Sequence, residues 1–234
     1  MGITVNTFDE LPSTTTLSKQ VESRIREAIV SGKMQPGVLF TETTIAAQMR
    51  VSRTPVREAV LNLEEKGLVT IFPKRGFQIR AFSREVIHEV YDLRWALESH
   101  ALRTLGTGTA KHNLKLLAQA AEQQKEKAIK AEIGNAVQSG EDFHKELLRL
   151  SGNGMMCKIF EDIRDIISIT WAQAFTHSIS AVEVAGDHIR LVELLKKGKT
   201  EAACDLLKTH LERSEKAVLE ALEITMSQNK LNKQ

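Results

Sequence analysis

Apolar residues recur every three to four positions over most of this chain, and the rhythm breaks at glycines, prolines and short polar runs. The clearest stretch is 51–68. Val56, Ala59, Val60 and Leu63 fall at i, i+3, i+4 and i+7, which predicts an amphipathic helix with one buried stripe. Ser52 stands at its N-cap, Pro55 lies in the first turn, where a missing N–H costs nothing, and Gly67 follows its end. Upstream, Leu17, Val21, Ile25, Ala28 and Ile29 predict a helix over about 17–31, stopped by Gly32. Pro36-Gly37 is a turn and 38–40 a short extended piece. Thr41 can cap a second helix over 42–50, with Ile45, Ala46 and Met49 inward. After Gly67 the period changes to two, so 68–72 and 77–82 predict two strands joined by the tip Pro73-Lys74-Arg75-Gly76.

From Ser83 onward the pattern is helical throughout. It predicts helices over about 84–105, 111–133, 135–150, 155–175, 182–197 and 200–226, with breaks at Gly106-Thr107-Gly108, Gly134, 151–154 and Gly198. Six helices with short connections make a bundle. The expected fold is mainly α: a helix-turn-helix with a small β-hairpin wing, then an all-α bundle. The expected organisation is a lead-in at 1–16, a first domain at 17–82, a second at 83–226 and a polar tail at 227–234.

Charge and composition narrow the partners. The formal net charge of the 234 residues is only +2, so any contact with a polyanion must come from a local patch. Residues 1–82 carry 11 Lys and Arg against 8 Asp and Glu, while the remainder carries 21 against 22. Two widely spaced cysteines, Cys157 and Cys204, give neither a disulfide framework nor a CxxC pair and suit a reducing cytoplasm. No apolar run approaches the ~20 residues of a membrane span, so no membrane partner is expected.

The chemistry sits at the leading end of the helix in 51–68. Arg53, Thr54 and Arg57 project there away from the buried stripe, and arginine and threonine at a helix N-terminus suit base edges and phosphates in a DNA major groove. Two short helices at this spacing form a helix-turn-helix, and a basic hairpin tip beside it is a wing able to bring Lys74 and Arg75 to a phosphate or a minor groove.

These residues carry a definite resemblance. Ile29-Val-Ser-Gly32, Pro36-Gly37, the run Val51-Ser-Arg-Thr-Pro-Val-Arg-Glu-Ala59, Leu63, Glu65, Gly67-Leu68 and Arg75-Gly76-Phe77 resemble the winged helix of the GntR family of bacterial transcription regulators. The second half resembles the C-terminal (FCD-type) sensor domain of the FadR subfamily in Tyr91-Asp-Leu-Arg94, Leu97-Glu98, Phe143-His144, Leu147, Ser151-Gly-Asn153, Asp187-His188 and His210-Leu211. Six rather than seven helices there resemble the VanR-like branch. The resemblance implies a DNA surface made by Arg53, Thr54, Arg57 and Gly76, with Thr43 in the preceding helix; Ser52, Lys74 and Arg75 complete the expected set.

It also implies a divalent metal, zinc or nickel, on His144, His188 and His210. Relatives place an aspartate four residues before the first of these histidines, and here that position is Gly140. Asp142, at i−2, points about 160° away around a regular helix, whereas Glu141, at i−3, lies about 60° away and is the better substitute ligand. Arg94 has two open roles, an ion pair with Glu98 at i+4 or a grip on an effector carboxylate. His88, His100, His112 and His177 show no such pattern and are expected to be structural or exposed, and Trp95 and Trp171 to be packing residues.

The resemblance thus implies a cytoplasmic homodimer that binds a palindromic operator in double-stranded DNA, represses, and responds to a small carboxylate or sugar acid in the helical domain; no catalysis is expected. Two other readings stay open on the residues themselves. One is an architectural DNA binder without an effector. The other is a metal-dependent hydrolase with a DNA-binding appendage and Glu141 as its base, although the sequence holds no HExxH, nucleophile elbow or phosphate loop.

Overall fold

The computed structural model describes residues 17–107, 114–130, 133–174 and 180–231. Helix α1 (Leu17–Val30) buries the predicted stripe Val21, Ile25 and Ile29 and packs on α3 (Arg53–Glu65), which buries Val56, Ala59, Val60 and Leu63. Between them come β1 (Leu39–Phe40) and α2 (Glu42–Met49). The Thr41 hydroxyl caps α2 by accepting the Thr44 N–H at 3.1 Å. Arg50 ends α2 in the left-handed region, with φ 56°, and this single residue turns the chain so that α3 crosses α2. At the other end of α3 the Gly67 and Leu68 N–H groups reach back to Glu64 and Leu63, with Gly67 at φ 71°, so the helix stops at the predicted glycine. Ser52 takes the N-cap position but its side chain makes no capping hydrogen bond; its hydroxyl stays exposed.

The wing holds one strand more than expected. β2 (Val69–Phe72) and β3 (Gly76–Ile79) form the predicted hairpin, and β1 pairs antiparallel with the other edge of β3, giving the order β1-β3-β2. Phe40 and Phe77 sit opposite each other with ring centroids 6.0 Å apart, which anchors the added strand. The approach is so close that a Cβ on Gly76, at φ 126°, would lie 2.0 Å from the Phe40 carbonyl oxygen. Only glycine fits there.

The second half is α4 (Arg84–Thr107), α5 (Leu114–Ile129), α6 (Ile133–Leu150), α7 (Gly154–Ala174), α8 (Ala181–Lys196) and α9 (Thr200–Leu231). These are the six expected helices, with two shifts of boundary. The break expected at Gly134 falls earlier, after Ile129, and both Gly134 and Gly140 lie inside α6. Helix α9 continues through most of the expected polar tail, because 227–231 contain no glycine or proline to stop it. The expected lead-in at 1–16 lies outside the described residues, as do His112 and His177.

In the bundle α5 packs between α6 and α8, α4 lies along α9, and α7 covers α6 and α9. Helix α7 also meets the winged helix: Arg26 of α1 pairs with Asp165 at 3.3 Å. Burial lifts the Asp165 carboxyl above its ordinary range, against the pull of Arg26. Among the described residues no helix is long and apolar enough to cross a membrane.

Candidate functional site

Two surfaces gather the chemistry. The first is a groove between the leading end of α3 and the wing, lined by Thr43, Arg53, Arg57, Lys74, Arg75 and Gly76, with Glu42 and Leu61 among its other walls. The two arginines of α3 and the wing cations are exposed, as are Ser52 and Thr54 beside the groove. Lys74 holds a positive φ of 62° at the hairpin tip, so the tip turns tightly and presents its cations together. No local sequence signal marks Glu42 as part of this groove. Its Oε2 lies 3.4 Å from Arg53 Nη2 and holds that guanidinium beside the groove.

The second is buried in the bundle. His144 on α6, His188 on α8 and His210 on α9 are all almost wholly inaccessible, and one nitrogen of each lies within 4.8 Å of those of the others. Each ring is held by its Nδ1. His144 Nδ1 is 2.6 Å from Glu98 Oε2, His188 Nδ1 is 2.5 Å from Gln124 Oε1, and His210 Nδ1 is 3.3 Å from Asp187 Oδ2. Each Nδ1 faces an oxygen that can accept its proton, an arrangement that leaves Nε2 of a neutral ring as the coordinating nitrogen when a metal is bound. The Nε2 atoms of His188 and His210 face each other 3.3 Å apart. That matches the roughly 3.3 Å edge of a tetrahedron of nitrogens about 2.0–2.1 Å from a zinc ion.

Protons are poorly suited to fill this space. Burial, then the charge of Arg94, drives the His144 pKa well below its ordinary value; burial and the neighbouring histidines do the same to His188. His210 is also lowered, by burial against the opposing pull of Asp187. Three neutral imidazoles with outward Nδ1–H bonds are a donor set for a divalent transition metal, and the outer partners are of the kind that fix ligand orientation. The cavity they line is about 20 Å³, room for one ion or water.

The surrounding wall explains the other candidates. Glu141 lines the cavity but stands outside the three converging nitrogens. Burial pushes its carboxyl up to about 7, against the pull of Arg94, and its Oε2 has no hydrogen-bond partner among the described residues. Arg94 is buried and makes the predicted pair with Glu98, Nε to Oε1 at 2.9 Å, yet its Nη2 has no hydrogen-bond partner among the described residues. Both roles read from the sequence therefore remain open to one side chain. Trp171, expected as packing, is a wall of the cavity, while Trp95 packs at the core's margin. Phe143 stacks on His188 with centroids 4.1 Å apart and planes 7° from parallel. Gly140 faces the same space, and a Cβ there would lie 2.7 Å from Gln124 Nε2. His88 and His100 are exposed.

A winged helix with an exposed basic leading end, joined to a helical bundle, is the build of a DNA-binding transcription regulator. The chain belongs to the bacterial regulatory proteins of the gntR family: that family matches residues 17–79, and the FCD domain matches residues 89–213. It is 29% identical over 186 residues to the HTH-type transcriptional regulator YdhC of Bacillus subtilis (strain 168), covering 79% of this chain and 83% of that one. It is 23% identical over 209 residues to the HTH-type transcriptional repressor RspR of Escherichia coli (strain K12), covering 89% and 92%. The crystal structure of a GntR transcriptional regulator from Rhodococcus sp. RHA1 superposes with a TM-score of 0.75 at 26% identity, over 88% of this chain and 99% of that one. These relatives are transcription regulators rather than enzymes, so the hydrolase reading falls away.

Proposed function

We propose that this regulator is a cytoplasmic homodimeric repressor whose grip on a palindromic operator is set by a small carboxylate or sugar acid bound at a divalent metal, zinc or nickel, in the helical domain. The observation that carries the reading is the convergence of one ring nitrogen from each of His144, His188 and His210 within 4.8 Å, with each ring fixed at Nδ1 by an oxygen outside the cluster. When bound, the metal would supply a Lewis acid with open positions for effector oxygens. Arg94, whose Nη2 has no hydrogen-bond partner among the described residues, would hold the effector's carboxylate beside it. The sign of regulation follows RspR, a relative named as a repressor.

The cavity is too small for a sugar acid as it stands, so effector uptake must displace a wall. Trp171 belongs to that wall, and its helix α7 also carries Asp165, the partner of Arg26 in α1. Since α1 packs on α3, a shift of α7 reaches the arginines of α3 through packed elements. DNA affinity changes only to the extent that the effector prefers one of the two arrangements. On the operator, Arg53, Thr54 and Arg57 would read the major groove, Lys74, Arg75 and Gly76 would meet the backbone or minor groove, and Thr43 and Ser52 would hold phosphates.

Arg53→Ala and Arg57→Ala should each weaken binding by about 1–3 kcal/mol on DNA selected from a random pool by the wild-type protein, read by fluorescence anisotropy. Both side chains are exposed, so the melting temperature should not move. Wild-type affinity in both variants would remove α3 from the interface.

A further inference from the structure

We propose that Gln124 is a positioning residue of the metal centre: its amide, lodged in the space that Gly140 leaves open, fixes His188 with the Nε2 lone pair turned to the metal. The inference rests on the metal reading above and concerns how this chain builds the site.

Gln124 lies on α5, within a run of glutamines, glutamates and lysines that otherwise faces solvent, yet it is buried and lines the cavity. Its Oε1 meets His188 Nδ1 at 2.5 Å across 64 residues of sequence. An amide oxygen accepts and cannot donate, so in this orientation the imidazole proton must sit on Nδ1. Turned the other way, the amide would donate to Nδ1 and force the proton onto Nε2, where it would point at His210 and block a metal. The orientation of one amide therefore decides whether the third nitrogen is a ligand.

His144 and His210 are held by carboxylates, Glu98 and Asp187. His188 alone is held by a neutral group, so the centre keeps more positive charge for an anionic effector than a third carboxylate would leave. Gly140 makes this possible. It stands one helical turn before His144, and a Cβ there would come within 2.7 Å of Gln124 Nε2, so a side chain at 140 and the amide of 124 compete for one volume.

The test is zinc affinity, measured by competition with a chromogenic chelator, on the wild type, Gln124→Leu, Gln124→Glu and Gly140→Ala. Loss of an outer partner of a metal-bound histidine costs about 10–100-fold in affinity, and Gln124→Leu should show that loss. Gln124→Glu, which keeps an accepting oxygen, should stay within a few-fold of wild type. Gly140→Ala should weaken zinc by displacing the amide, and should add nothing in a Gln124→Leu background. A second readout needs no metal: imidazole nitrogen NMR of the stripped protein should show His188 with its proton on Nδ1, and Gln124→Leu should change that tautomer. If Gln124→Leu does not fold, Gln124→Glu, Gly140→Ala and the tautomer of the wild type still decide the matter. Zinc bound by Gln124→Leu as tightly as by wild type, or a proton on His188 Nε2 in the stripped wild type, would overturn the role of Gln124 and leave the three-histidine centre intact. No zinc on the wild type would overturn both.

Discussion

Replacing Phe143 with alanine should remove about 3–5 kcal/mol of stability, measured by urea unfolding of the metal-free protein. The ring is fully buried, stacked on His188, and meets His144 edge-on with centroids 5.6 Å apart. Alanine would leave a cavity against two imidazoles that are themselves held at fixed angles, so collapse of the walls would break the Nδ1 bonds to Gln124 and Glu98. The neighbourhood therefore has little freedom to relax, which places the cost at the upper end for large-to-small changes. Phe143→Leu should cost less in stability because most of the volume is kept. A loss below about 1 kcal/mol for Phe143→Ala would mean that the ring is not what holds α6 to α8 at this point.

The second large effect is acid lability. His144, His188 and His210 have pKa values lowered by burial, whereas in the unfolded chain they return to their ordinary value near 6.5. As pH falls below 6.5 the unfolded state takes up protons that the folded state refuses, so stability present at neutral pH is progressively lost. All three histidines act in this sense. Glu141 acts in the opposite sense. Its folded pKa of about 7 lies above the unfolded 4.5, so the folded state takes up its proton over this range and gains stability as pH falls. Glu98 and Asp165, also raised by burial, act the same way. The metal-stripped protein should lose stability from pH 6.5 to 5, because three histidines take up protons in the unfolded state over this range. Urea unfolding at several pH values reads this directly, and stability that is flat or rising toward pH 5 would contradict neutral, lone-pair-inward histidines.

What the sequence made legible divides by distance along the chain. Helix α3 could be read because its stripe, its Pro55 and its terminal Gly67 are all local signals, and the exposed arginines follow from the same periodicity. The third strand could not, because residues 39–40 pair with a partner 37–39 positions away and have no period of their own. Ser52 has the residue type of a capping side chain without forming the bond, a matter of rotamer that residue type does not determine. The three histidines were placed together by resemblance, but their holders were not. Asp187 is adjacent to His188 in sequence yet serves His210, because successive residues on a helix point about 100° apart. Gln124 sits in a charged run with the composition of a solvated face, and only the packing of α5 between α6 and α8 turns it inward. Glu98 was legible as the partner of Arg94 at i+4, while its second bond, to His144, spans 46 residues.

The most direct measurement is the metal content of protein purified without chelator, by mass spectrometry of the dissolved sample, for the wild type and His188→Ala. The wild type should carry close to one zinc or nickel per chain and the variant almost none, with both proteins folded by circular dichroism. A metal-free wild type, or equal metal in both, would contradict a centre built on His144, His188 and His210.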